Sequence, residues 1–230
     1  MGARTTSGRP ATSFSIDCRR CPRLAAYLDE VRRKYPGYYA HPVPSFGDPR
    51  ARLLIVGLAP GLHGANASGR AFTGDHAGIL LYETLHAFGF ASQPLSRAVD
   101  DGMVLRDCRI TNAVRCVPPQ NKPLTREVHT CNDYLREELA LLPPAGIVLA
   151  LGTVAHGAIL RALGLKLSAA RFAHGSQHQL PGGLQLFDSY HCSRYNTQTR
   201  RLTPAMFREV FGTIRGRLDA MDASSDAGQL

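Results

Sequence analysis

Arg52-Leu-Leu-Ile-Val-Gly-Leu58 runs directly into Ala59-Pro-Gly-Leu-His-Gly-Ala-Asn66. The first part is short, apolar and rich in branched side chains, which reads as a buried strand. The second part is a Pro/Gly loop that ends it. Working outward, Arg109–Val114, Gly146–Gly152 and Leu184–Tyr190 read as three more strands of the same kind. Helical patterns cover Leu24–Tyr35, Ala77–Phe88, Thr125–Leu142, Thr153–Leu163 and Pro204–Leu218. Strands alternating with helices predict an α/β fold, a largely parallel sheet with helices on both faces. Such sheets bind ligands at the carboxyl ends of their strands. The loops after Leu58, Val114 and Tyr190 all leave that edge, and they hold the unusual residues.

The chain has 230 residues, 44% of them hydrophobic, enough for one domain with a proper core. That domain is expected over 14–218, between a flexible basic leader (1–13) and a frayed polar tail (219–230). No apolar run reaches the ~20 residues a membrane helix needs. The polar, basic start argues against a secretory signal. Lys+Arg outnumber Asp+Glu 27 to 18, and only Lys34, Lys122 and Lys166 are lysines. An Arg-rich surface attracts polyanions, nucleic acid first among them. The plain alternative is a solvated surface with a compositional bias toward Arg.

Six cysteines without an export signal argue against a disulfide scaffold. Cys18-Arg-Arg-Cys21 lets two sulfurs face one metal centre, and Cys116 and Cys131 follow far along the chain. Four thiolates suit zinc or an iron–sulfur cluster. The wide spacing of the second pair favours the cluster, and buried thiols unrelated to metal stay open. Cys108, at a strand start, reads as a core thiol.

The loop continues through Ser68-Gly-Arg-Ala-Phe-Thr-Gly-Asp75. It matches neither a P-loop nor a dinucleotide fingerprint. Its glycines permit tight turns or close approach of backbone to a ligand. Asp75 precedes a predicted helix, where a carboxylate caps naturally; it is also placed to orient water or steady a developing cation. Phe72 is either a core plug or a platform for stacking a base.

Taken together, several segments in order resemble the uracil-DNA glycosylase superfamily, family 5 (type b) in particular. They are Cys18-x-x-Cys21, Pro42-Val-Pro with Phe46-Gly-Asp48, Gly57-Leu-Ala-Pro-Gly61 and Gly69-Arg-Ala-Phe-Thr-Gly-Asp75. Ile110-Thr-Asn-Ala-Val-Arg-Cys116 follows, with Pro118-Pro-Gln-Asn-Lys-Pro123, Cys131 and His191-Cys-Ser-Arg-Tyr-Asn196. The resemblance runs from Cys18 to about Met206. It implies a three-layer α/β/α sandwich around a four-stranded parallel sheet. It also implies a 4Fe–4S cluster on Cys18, Cys21, Cys116 and Cys131, structural in role.

The activity implied is excision of uracil, and of hypoxanthine and xanthine, from DNA in base excision repair. Because Leu58 and Ala59 carry no polar group, the resemblance puts the water-handling carboxylate at Asp75, with His191 donating to the departing base. Gly57, Ala59, Gly61, Phe72, Asn112 and Asn121 would hold the base; Arg194, Tyr195, Asn196, Arg200 and Arg201 would hold the DNA. The expected partner is damaged DNA, double-stranded, with single-stranded DNA also open. The enzyme is expected as a monomer on the chromosome in a bacterial or archaeal cytoplasm.

This chain departs from the family pattern at His41, Ser45, Cys192 and Arg200; at the last of these a Gly is usual. Two other readings compete: a non-catalytic nucleic-acid module with a Cys₄ zinc, and a nucleotide-binding α/β enzyme.

Overall fold

A computed structural model describes residues 13–227. The expected leader therefore lies, except for Ser13, outside the described residues. The sheet has six strands: β1 (Phe46–Gly47), β2 (Leu53–Gly57), β3 (Cys108–Asn112), β4 (Ile147–Leu151), β5 (Gln177–Gln179) and β6 (Gln185–Ser189). Their order is β1-β3-β2-β4-β6-β5. The four strands read from sequence form the parallel centre, β3-β2-β4-β6. Two short strands, β1 and β5, extend it antiparallel at the edges. They are two and three residues long, too short to carry a periodicity.

The helices are α1 (Pro22–Lys34), α2 (Ala65–Ser68), α3 (His76–Ala87), α4 (Thr125–Ala140), α5 (Thr153–Ala162), α6 (Arg194–Gln198) and α7 (Pro204–Ala227). Alternation along the central strands sorts the layers, since successive side chains point to opposite faces. Leu53, Ile55, Ile147, Leu149 and Phe187 join α3 and α7 in one core. Leu54, Val56, Val148, Ala150 and Leu186 join α1, α4 and α5 in the other. This is the expected α/β/α sandwich.

One boundary is corrected. The segment set apart as a polar tail continues α7 to Ala227. Met221 packs against the core there, and Asp222 pairs with Arg52. Ala220, Met221, Ala223 and Ala227 are interspersed among the polar residues of this segment, and Ala and Met are strong helix formers.

Among the described residues no helix is long and apolar enough to cross a membrane.

Candidate active site

A cleft of about 490 Å³ opens at the carboxyl ends of the parallel strands. Its walls come from the loops after β2, β4 and β6, with Asn121 reaching in from the loop after β3. Of the expected residues, Ala59, Gly61, Asp75, Asn121, His191, Arg194, Asn196 and Arg201 line it.

Asp75 caps α3: its Oδ1 accepts the Gly78 backbone N–H at 3.0 Å. The other oxygen faces the β2 loop. A Cβ on Gly61 would lie 3.4 Å from Oδ2, and one on Gly64 only 2.6 Å away. The glycines of this loop thus make room for a carboxylate. Burial raises the Asp75 pKa above the ordinary carboxylate value, against the backbone N–H groups of Gly78 and Ala77. A carboxylate so placed has one oxygen fixed and one left for water.

His191 follows β6. Burial pushes its imidazole down to about 4, so it is neutral at physiological pH. A neutral imidazole donates through one ring N–H. Its backbone is held by Asn196, whose Nδ2 donates to the His191 carbonyl at 2.8 Å. Asn196 thereby spends its amide on positioning His191. Phe72 lies nearly parallel to the His191 ring, centroids 5.9 Å apart.

Gly57, Phe72 and Asn112 do not line the cleft; they are buried and gathered beside it. Gly57 pairs with Asn112 across the ladder, and a Cβ on Gly57 would come within 2.7 Å of Phe72 Cζ. No protein group among the described residues hydrogen-bonds the Asn112 amide. Phe72 holds a left-handed backbone, φ 56°, as does Asn121. Tyr195 is 70% exposed on α6, and Arg200 is exposed with φ 57°.

Four wall features escaped the sequence reading. Phe172 and Tyr190 form an aromatic side of the cleft, with Arg201 stacked over Tyr190 at 4.6 Å. The β4–α5 turn, Leu151 to Val154, forms another part, and His76 stands beside Asp75. Tyr190 ended a predicted strand and His76 adjoined Asp75, so position alone could have flagged both. Phe172 lies in a stretch without periodicity and gave no signal.

Behind this wall His156 is buried with Asp188. Its Nδ1 is 2.8 Å from Asp188 Oδ1 and its Nε2 is 3.0 Å from the Ala170 carbonyl. With Asp188 ionised both partners only accept, an arrangement that favours the doubly protonated ring. Burial opposes that charge, but the Asp188 carboxylate outweighs it and raises the His156 pKa. His178 Nε2 faces the other Asp188 oxygen at 3.4 Å.

On the far side of the sheet, Cys18, Cys21, Cys116 and Cys131 surround one small enclosed space with Leu24, Val114 and Tyr134. The Arg115 backbone N–H donates to Cys131 Sγ at 3.3 Å, and the Tyr134 hydroxyl to Cys18 Sγ at 3.2 Å. Burial, then the neighbouring thiols, push the Cys116 thiol far up. Burial also raises Cys131, to about 11. Among the described residues no three His, Cys, Asp or Glu side chains gather tightly enough to hold a single ion.

The model of the uracil DNA glycosylase superfamily matches residues 44–215. A type-5 uracil-DNA glycosylase of Thermus thermophilus is 50% identical over 198 residues, 84% of this chain and 90% of that protein. One from Pyrobaculum aerophilum is 42% identical over 199 residues, 85% of this chain and 86% of that protein. The crystal structure of Pedobacter heparinus SMUG2 aligns at a TM-score of 0.46 and 14% identity, covering 76% of this chain and 77% of that one. That likeness is too distant to carry an argument.

Proposed function

The chain belongs to the uracil-DNA glycosylase superfamily, among its type-5 members, and from that premise we propose how this cleft works and on which bases. It flips a deaminated base out of DNA and hydrolyses the N-glycosidic bond, leaving an abasic site. Uracil is the first substrate, and hypoxanthine and xanthine are further ones. The volume of the cleft falls in the usual ~300–1,000 Å³ range of small-molecule sites, which leaves room for a purine.

The observation that carries the reading is the pairing of Asp75 and neutral His191 on one cleft. As the bond from base to C1′ breaks, positive charge grows on the sugar and negative charge on the base. Asp75 faces the sugar: Oδ1 stays with its helix while Oδ2 aligns water toward C1′ and offsets the cation. Its raised pKa makes it a better acceptor of the proton that water loses. His191 donates to a carbonyl of the departing base. Asn121 reads the base edge from within the cleft, and Phe72 with Asn112 supports the base from beside it. Exposed Tyr195 and Arg194 fill the gap the base leaves, and Arg200 and Arg201 hold phosphates.

The four cysteines fit a 4Fe–4S cluster. They share one enclosure, each thiolate would repel the others without a cation among them, and two sulfurs already receive hydrogen bonds of the kind cluster sulfurs take. Bound there, a cluster would supply structural cross-linking. Those residues tie the start of α1 and the loop after β3 to α4. The setting that suits such thiols is a reducing bacterial or archaeal cytoplasm, with the enzyme acting as a monomer on chromosomal DNA.

Labelled oligonucleotides carrying uracil, hypoxanthine or xanthine, treated with enzyme and then alkali, test the substrate range. Strand breaks at all three support it; breaks at uracil alone reduce it to the narrower activity. Iron and sulfide analysis of the purified protein tests the cluster.

A further inference from the structure

At the end of α1 a group of aromatic and basic side chains stands beside the cleft and takes no part in the roles above. Tyr35 and Tyr38 stack face to face, centroids 4.7 Å apart at 12°. His63 sets its ring at about a right angle to both. The Tyr38 hydroxyl is 2.8 Å from His63 Nδ1. Lys34 Nζ lies 5.4 Å from the Tyr35 ring centre. His63 is exposed, yet held by both tyrosines.

The group is rigidly joined to the active site. His63 belongs to the β2 loop, two residues after Gly61 in the cleft wall and next to Gly64, which packs on Asp75. The tyrosine loop is pinned to the same segment by Tyr39 N–H to Ala67 O and Ala40 N–H to Asn66 O, both 3.0 Å. The arginines of 194–201 follow β6, two strands away in the sheet. A DNA strand entering the cleft across the strand ends meets the arginines on the β6 side and this group on the β2 side.

Its chemistry selects what it takes. With the Tyr38 hydroxyl donating to Nδ1, the imidazole proton sits on Nε2, and no protein group among the described residues accepts it. No carboxylate is hydrogen-bonded or ion-paired to Lys34, Tyr35, Tyr38 or His63 among the described contacts. One face of Tyr35 and one of Tyr38 are used on each other. What remains is the His63 Nε2–H, the Tyr35 hydroxyl and one cation, which suits a phosphodiester oxygen better than a stacked base.

We propose that His63, oriented by Tyr38 and accompanied by Lys34, forms a preorganised phosphate-binding site for the damaged strand on the β2 side of the cleft. The inference rests on the DNA-glycosylase reading and adds a second point of grip to it.

The test reads binding without excision, so it stays separate from whether the cleft cuts. A duplex with uncleavable 2′-fluoro-2′-deoxyuridine opposite guanine is titrated with the wild type, His63→Ala and Tyr38→Phe. The titration is repeated with single neutral methylphosphonates at successive linkages around the analogue. His63→Ala should weaken binding to unmodified DNA about tenfold, as loss of a hydrogen bond to a charged group does. One methylphosphonate should weaken the wild type similarly yet leave His63→Ala no weaker. Tyr38→Phe should show the same linkage with a smaller loss. If His63→Ala binds like the wild type, or loses equally at every linkage, the site is not there. If binding behaves as expected but uracil is never excised, the functional reading fails and the phosphate site stands.

Discussion

A Cβ on Gly64 would lie 2.6 Å from Oδ2 of Asp75. The β2 loop and the carboxylate are therefore in direct contact, with nothing to spare between them. Gly64→Ala must push either the loop or Asp75 aside. A displacement of about 1 Å can cost ~100-fold in rate. Single-turnover excision of uracil by Gly64→Ala should fall by about that factor, with the melting temperature little changed. An unchanged rate would mean that the position of Asp75 is not critical.

Asp75 caps α3 and carries the proposed catalytic charge, and substitution can separate the two. Asp75→Asn keeps an amide oxygen for the cap but loses the charge; Asp75→Ala loses both. Both should abolish most excision. Only Ala should also lower stability, by about 1 kcal/mol for the lost cap. Because burial raises the folded pKa of Asp75, ionisation weighs against the folded state at neutral pH. Asp75→Asn should therefore match or exceed the wild type in stability at pH 7, and that advantage should vanish as pH falls into the carboxylate range. Excision by the wild type should decline on the acid side at a pH above the ordinary Asp value. Melting curves and rates across pH check both.

Much of this was legible from residues. Three of the four central strands lie within one residue of their expected bounds at each end, and β3 ends two residues early at Asn112, because buried branched runs ended by Gly or Pro leave little choice. Asp75 was readable because a capping acid at a strand-end loop has few other places to be. The edge strands and α2 and α6 were not, being too short for a pattern. The cleft's composition was only half legible. Asn112 and Phe72 come from matching segments yet lie beside the cleft, while Phe172 enters it from an irregular stretch. The glycine loop was seen, but which group it approaches is a fact of three dimensions.

The buried pair of His156 and Asp188 ties the start of α5 to β6, which leads into His191, and packs edge-on against Phe172 in the cleft wall. His156→Leu leaves Asp188 buried with only the longer contact to His178, and should cost roughly 3 kcal/mol. The folded pKa of His156 is raised. Its contribution is therefore full below the unfolded value of ~6.5 and lost as pH rises through the folded value. Wild-type stability should fall on that alkaline side, and the His156→Leu variant should lack this portion of the fall. Denaturant melts at several pH values settle the point.

Arg200 stands just past the cap of α6 with φ 57°, the place where helices favour glycine. A side chain in that conformation is strained, and Arg200 carries its charge there. Arg200→Gly should relieve up to about 1 kcal/mol of strain and raise the melting temperature. At the same time it should weaken DNA binding several-fold at low salt. A loss of stability would contradict the strain, and unchanged binding would contradict the phosphate role.

Asp75 is proposed to drive hydrolysis of the N-glycosidic bond on this cleft. The most direct measurement is single-turnover release of uracil from a labelled U·G duplex, compared for the wild type and Asp75→Asn. Binding of each to the uncleavable analogue is measured alongside. That role predicts abasic sites with the wild type, excision lowered by orders of magnitude in Asp75→Asn, and similar affinity for DNA. Excision by Asp75→Asn at the wild-type rate would contradict it and move the chemistry to another group.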